Sequence, residues 1–222
     1  MAKEVVKKES AAKLKRKVWY RIISPKIFGQ REIGETYLEN PEQAVGRTVS
    51  FNLKELTGNV KDQSYDVVFK ITRVDGSQLR TATVGYVLSP TYVKRVVRKN
   101  SARLDDVMKI KTRNGQDVVL KSFAVTVHRV QRSVRSALRR EIVAFFTEEL
   151  ARSTFDGFIS NLVSRKLQFA LKKRLSKIYI TKEVSVRVLE LKSAPVEGEE
   201  AIVDEPTSVS DAPVSVEAVD VD

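Results

Sequence analysis

His128 is the single histidine of the 222-residue chain, and there is no cysteine. A metal site built on two histidines is therefore excluded within one chain, as are thiolate nucleophiles, thiolate zinc sites and disulfides. Ser-His machinery would have to rest on His128 alone, and no carboxylate or cysteine stands close to it in sequence. A structural or RNA-facing histidine fits that setting better. Asp105-Asp106 has the residue types that hold Mg²⁺ in a nuclease, but adjacent strand residues point to opposite faces, and a turn before a strand is the favoured assignment. Glu148-Glu149 reads as part of a solvated helix face. Gly29 and Gly34 lie too far apart for a phosphate loop, and no Gly-Lys-Ser/Thr follows them. These types and spacings favour neither an enzyme nor a metal or cofactor site.

The basic residues are better organised. Lysine and arginine number 40 against 28 acids, and nine of those acids lie beyond Lys192, where no base occurs. The body up to Lys192 thus sets 40 bases against 19 acids, a net +21, and the tail carries −9. A surplus of that size repels itself in a compact fold, and a polyphosphate backbone relieves it by exchanging condensed counterions for fixed cations. Lys13, Lys15, Arg16 and Lys17 cluster just before Trp19-Tyr20-Arg21, where the rings can stack on unpaired bases. One ring of that pair must face the core, because strand neighbours point opposite ways. Lys26 and Arg31 follow in the same region. Lys94, Arg95, Arg98 and Lys99 lie opposite an apolar stripe of Val93, Val96 and Val97. Arg132, Arg135 and Arg139 fall at i, i+3 and i+7, a row of guanidiniums beside Arg140 that flanks the stripe of Leu138 and Ile142. Lys166, Lys172, Lys173, Arg174 and Lys177 load a third helix. Each set could be an ordinary solvated face. Too few acids interleave for local ion pairs, however, which favours phosphate contact, and the arginine fork meets two phosphate oxygens at once.

The elements that must position these residues follow from periodicity. Val18–Ile23 is aromatic and β-branched and stops at Ser24-Pro25, a short strand. Gly29, Gly34, Pro41 and Gly46 punctuate a loop with short extended pieces. Thr48–Leu53 alternates as a half-buried strand. Tyr65–Val74 places Tyr65, Val67, Phe69 and Ile71 on one face, and Asp75-Gly76 turns it into Leu79–Leu88, a hairpin. Met108–Thr112 and Asp117–Val127 form a second hairpin about Asn114-Gly115. Val184, Val186 and Val188 predict a last strand returning to the sheet. Helices are predicted from Ser89-Pro90, over Ser133–Ala151, after a Ser153-Thr154 cap, and along Leu167, Leu171 and Leu175. The order implies an α+β fold: a mainly antiparallel sheet or small β-barrel with packed basic helices.

Three regions follow: a basic arm over 1–17, an α+β RNA-binding body over 18–192 and an acidic tail over 193–222. The arm has few apolar residues and reads as disordered until it meets RNA, or else as a plain solvated tail. The Pro-, Ser-, Val- and acid-rich tail reads as disordered. No apolar run approaches bilayer length and the first residues lack a secretory apolar stretch, so a cytoplasmic protein is expected.

Trp19-Tyr20, Ser24-Pro25, Phe28 and Arg31-Glu32-Ile33-Gly34-Glu35-Thr36 resemble the opening of the archaeal and eukaryotic small-subunit ribosomal protein family 3Ae. Gly46-Arg47 with Leu53 and Leu56, then Lys111-Thr112 with Gly115, and the helix holding Arg132, Arg135, Arg139 and Arg140 fit later parts of that family in order. The likeness covers roughly residues 13–192, and the short body and simple hairpins look archaeal. The valine-rich acidic tail departs from it. The resemblance implies a structural, non-catalytic component of the small ribosomal subunit, on its platform near the messenger exit and the 3′ region of the small-subunit RNA. Its implied partners are that rRNA, neighbouring small-subunit proteins and messenger near the exit, with no membrane, cofactor or small-molecule substrate. A free RNA-binding or RNA-chaperone module is the alternative, and a metal-dependent nuclease using Asp105, Asp106 and an acidic partner is a third.

Overall fold

Tyr65, Val67, Phe69 and Ile71 all face inward on β4 (Tyr65–Asp75), and the alternation continues across the hairpin into β5 (Gln78–Leu88). Gly76 makes the turn at φ +58°, a left-handed conformation that glycine adopts without steric cost. The computed structural model describes residues 17–192. The arm residues Lys13, Lys15 and Arg16 and the whole tail lie outside the described residues.

β5 is the spine of a mixed, mostly antiparallel sheet of eight strands. Along one side it pairs with β4, which in turn pairs with β3 (Thr48–Asn52). Its other side is shared. Gln78–Arg80 pairs in parallel with β1 (Val18–Ile23), and Gly85–Val87 pairs antiparallel with β8 (Thr181–Leu191). Between the two, Thr81 Oγ1 donates to the Ile23 carbonyl at 2.7 Å. Beyond β1 lies β2 (Glu32–Leu38), and beyond β8 lie β7 (Asp117–Thr126) and β6 (Arg103–Lys111). Among the described residues β2, β3 and β6 each have one strand partner, so the sheet is open and the barrel alternative is corrected. Gly85 marks the fork: a Cβ there would stand 3.1 Å from the Leu189 carbonyl oxygen.

Five α-helices occur among the described residues: α1 (Leu53–Thr57), α2 (Pro90–Val96), α3 (Arg132–Arg152), α4 (Phe155–Val163) and α5 (Lys166–Leu175). α3 buries Leu138, Ile142, Phe145, Phe146 and Leu150, and Thr154 caps α4 by accepting from the Gly157 N–H at 3.2 Å. Leu167, Leu171 and Leu175 bury one face of α5. These helices and the sheet enclose the main core, centred on Phe69, Phe123, Leu138 and Phe158. A second, smaller core of Ile22, Leu38, Ala44, Ile71 and Leu79 lies under the β1–β2 ribbon, with Tyr20 packed against it.

Four local expectations change. Glu32–Leu38 is a full seven-residue strand where loop with short extended pieces is expected; Gly34 punctuates the sequence, yet its α-carbon faces the Phe51 ring, where a Cβ would lie 3.7 Å away. Leu53 starts α1 instead of ending β3, because the Asn52 side chain caps the Lys54 N–H. α2 stops at Val96 and Val97 is extended, which leaves Arg98 and Lys99 in the following turn rather than on the helix face. Asp105-Asp106 lies inside β6, not in a turn before it.

Candidate nucleic-acid interface

Three of the basic sets meet at one end of the sheet, and a hydrogen-bonded chain explains how. Thr126, fully buried at the end of β7, pairs in register with Thr181 at the start of β8. Its hydroxyl donates to the His128 carbonyl at 2.6 Å and accepts from the Ala102 N–H at 3.0 Å. The turn leading into α3 is thereby fixed against the segment that follows α2. Lys182 Nζ donates to the Val96 carbonyl at 3.3 Å, and Lys172 Nζ donates to the Lys182 carbonyl at 3.0 Å. The C-terminal ends of α2 and α5 and the N-terminal end of α3 therefore converge around the first residues of β8. Lys94, Arg95, Arg98, Lys99, Arg129, Arg132, Lys172, Lys173 and Lys182 are exposed around this pole, and Arg135 is half-buried. Arg95 also lies over the Tyr92 ring, 5.2 Å from its centroid. His128 is exposed in the turn itself, with Arg129 beside it.

The first turn of α3 is electrostatically inverted. A helix N-terminus carries free N–H groups and partial positive charge, so isolated proteins place acids or capping side chains there. α3 has no acid in its first turn, and its N-cap, Gln131, makes no side-chain capping bond. Arg132 stands there instead, and Arg135 follows it as the next member of the row. Arg135 Nε is buried without a hydrogen-bond partner among the described residues. α4 shows the ordinary arrangement for comparison, with Thr154 as cap and Asp156 in its first turn.

Other sequence-selected cations are committed within the fold. Arg174 is not a free α5 cation. It is clasped by Glu141 and Glu148 of α3, the latter at 2.9 Å, and its hydrogen bond holds the Glu148 carboxyl below its usual range. Glu148 thus joins two helices rather than a purely solvated face. Arg139 pairs with Asp106 at 3.3 Å, which separates it from Arg132 and Arg135 in role; Arg140 is exposed. Burial pushes the Asp106 carboxyl above its usual range, opposed by Arg139. Asp105 faces the other side of β6 and pairs with Arg103 at 2.6 Å. Among the described residues no third carboxylate or histidine joins these two aspartates in a metal-holding group.

The β1–β2 region lies apart from this pole. β1 adjoins the first residues of β5 and β8 the last ones, and 11 residues of strand span roughly 35 Å. Tyr20 turns toward the second core, and Trp19 faces outward against Tyr37. Arg21 is held by Glu32 at 3.4 Å and Glu35 at 4.0 Å. Lys26 is exposed. Arg31 lines a groove of about 380 Å³ and donates to the Leu56 carbonyl at 3.2 Å. Sequence reasoning missed Tyr37, Arg129 and Lys182. Tyr37 sits in β2, within the stretch expected to be loop with short extended pieces, and the two cations are isolated in sequence, joining the pole only through β7–β8 pairing.

The sequence pattern of the ribosomal S3Ae family matches residues 5–195. The chain belongs to that family. Relatives named small ribosomal subunit protein eS1 include one from Sulfurisphaera tokodaii, 31% identical over 183 residues, covering 82% of this chain and 95% of the relative. Another, from Methanothermobacter thermautotrophicus, is 31% identical over 179 residues, covering 79% and 92%. A third, from Thermoplasma acidophilum, is 27% identical over 212 residues, covering 91% and 99%. The S3Ae family is one of structural, non-enzymatic ribosomal proteins, and its members work in the cytoplasm. No helix among the described residues is long and apolar enough to cross a membrane.

Proposed function

We propose that this S3Ae protein is a structural component of the small ribosomal subunit that binds small-subunit rRNA chiefly through the basic pole at the start of β8. The observation that carries the proposal is the first turn of α3. Arg132 and Arg135 crowd an uncapped helix end where their charge opposes the helix dipole, an arrangement that a phosphate relieves. Cations from α2, α5 and β8 stand around the same point, so one backbone segment can meet several of them. The position follows the family resemblance: the platform near the messenger exit and the 3′ region of the small-subunit RNA, with neighbouring small-subunit proteins and messenger as further contacts. The basic arm with Lys13, Lys15, Arg16 and Lys17 extends that RNA contact, and the body beyond it is the RNA-binding unit. Sedimentation of small subunits through high salt tests the assignment. An integral component remains with the subunit; release at moderate salt would support a free RNA-binding or chaperone module instead. Crosslinking within the assembled subunit should join the α3 N-terminal turn to rRNA, and crosslinks confined to other surfaces would refute the pole.

A further inference from the structure

The outer face of the β1–β2 ribbon carries two large rings that the described residues leave exposed. Trp19 is 59% exposed and Tyr37 is 50% exposed, although the ribbon's inner face is packed on the second core. The two residues are direct cross-strand partners, with ring centroids 4.9 Å apart and planes tilted by 39°. Alternation puts Arg21 and Glu35, themselves cross-strand partners, next to them on the same face. Lys17 Nζ stands 5.9 Å from the centre of the Tyr37 ring. The rings are thus an apolar island two side chains wide between Lys17 on one side and the Arg21–Glu35 pair on the other.

We propose that Trp19 and Tyr37 form a stacking site for an unpaired base of single-stranded RNA. The proposal rests on the RNA-binding assignment above and adds a second site, some distance from the basic pole, with a different chemistry. An aromatic face accepts any base because every base has a π-face, and a nearby cation holds the phosphate that follows. Lys17 supplies that cation, and Lys13, Lys15 and Arg16 precede it in sequence. Toward the other end, Glu32 and Glu35 neutralise Arg21, so the attraction for phosphate is concentrated on the Lys17 side. A protein partner fits less well. A stable protein interface covers about 800 Å² per partner around an apolar centre, whereas charged residues border these two rings directly. Duplex RNA fits less well again, because its bases are already stacked and paired.

Trp19 is the only tryptophan of the chain, so its emission reports on this site alone. The full-length protein would be titrated with a short oligouridylate and with an abasic oligomer of the same length and charge, following both Trp emission and binding anisotropy. The expected result is strong quenching by the oligouridylate and little by the abasic oligomer. Trp19→Ala and Tyr37→Ala should each weaken oligouridylate binding by roughly 5- to 150-fold, the range for losing one stacked base. Neither should change the affinity for the abasic oligomer, and Trp19→Phe should restore most of the loss. Unchanged melting temperatures would show that the alanine variants fold. Equal binding of both oligomers, insensitive to Trp19→Ala, would overturn the stacking site while leaving the basic pole standing. Loss of all RNA binding by the unaltered protein would overturn both. Quenching by an acidic peptide as strong as that by oligouridylate would assign the rings to a protein partner. Emission that is already buried in the free protein, and shifts to the red on deleting residues 1–16, would show that the arm covers them.

Discussion

Replacing Arg132 and Arg135 together by glutamine should move stability and RNA affinity in opposite directions. A charge at a helix end contributes about 0.3–1 kcal/mol through the dipole. Two cations at the wrong end therefore destabilise free α3 by roughly 0.6–2 kcal/mol. Among the described residues neither arginine is in an ion pair like that of Arg139 with Asp106, so their removal loses little that stabilises the fold. In a protein of this size 1 kcal/mol corresponds to about 2–4 °C, and the double variant should melt roughly 1–8 °C higher than the parent. Binding to small-subunit RNA should weaken across all salt concentrations. The slope of log K against log salt should also become shallower by roughly 1.4–1.8, the share of two phosphate contacts.

The control is on the same helix. Leu138 is fully buried, and Leu138→Ala should cost about 2–5 kcal/mol while leaving RNA affinity intact below the melting range. Thermal unfolding by circular dichroism and anisotropy titrations at several salt concentrations measure both quantities. If the glutamine variant melts earlier than the parent and binds RNA normally, the two arginines are structural and the electrostatic reasoning is wrong.

Three further outcomes are expected. Asp62 is buried and pairs with the partly exposed Arg165 at 2.9 Å, so Arg165→Met should cost toward the lower end of roughly 3–5 kcal/mol, and adding Asp62→Asn should recover part of it in a double-mutant cycle. Burial raises the Asp106 carboxyl above its unfolded value; the stability tied to its protonated form is full below about pH 3.9 and is lost as pH rises through the higher native value. The parent should therefore lose stability relative to Asp106→Asn from about pH 4 upward, and melting curves whose difference is flat with pH would contradict this. Gly85→Ala should destabilise by about 1–3 kcal/mol, because the added methyl meets the backbone oxygen of Leu189, which the β5–β8 pairing holds in place.

The body elements were legible where a single face is buried and the period is unbroken. β4, β5, α4 and α5 appear at the expected positions, since Tyr65 to Ile71 and Leu167 to Leu175 each bury one face. β2 was hidden for a physical reason. It is an edge strand with one strand partner among the described residues, its outward face mixes charged Glu35 with the exposed Tyr37, and its glycine has ordinary strand geometry that composition alone reads as a turn. The fork of β5 was equally hidden, because parallel pairing of Arg21–Ile23 with Gln78–Arg80 joins segments with no local signal in common. At the site, the basic sets were visible as sets. Their meeting at β8 was not, since it depends on Thr126, Lys172 and Lys182 hydrogen bonds across long sequence separations.

Sequence alone also could not divide the cations by role, and that division is where the fold becomes informative about function. Arg139, Arg165 and Arg174 are spent on carboxylates that join α3 to β6, α5 to the segment before β4, and α5 to α3. Each of these three sits away from the first turn of α3. Glu183, beside Lys182, lines a groove with Lys172, yet among the described residues the cations around that turn enter no ion pair like those three, and the turn itself lacks the acid or cap that would neutralise a free helix end. Selection for stability alone would favour an aspartate or serine there at little structural cost. An uncompensated positive helix end bearing Arg132, with Arg135 a turn further on, is thus better explained by an anionic partner than by the protein's own stability. A phosphate of rRNA is the anion we propose for it, in keeping with membership of a ribosomal family and the surplus positive charge of the body.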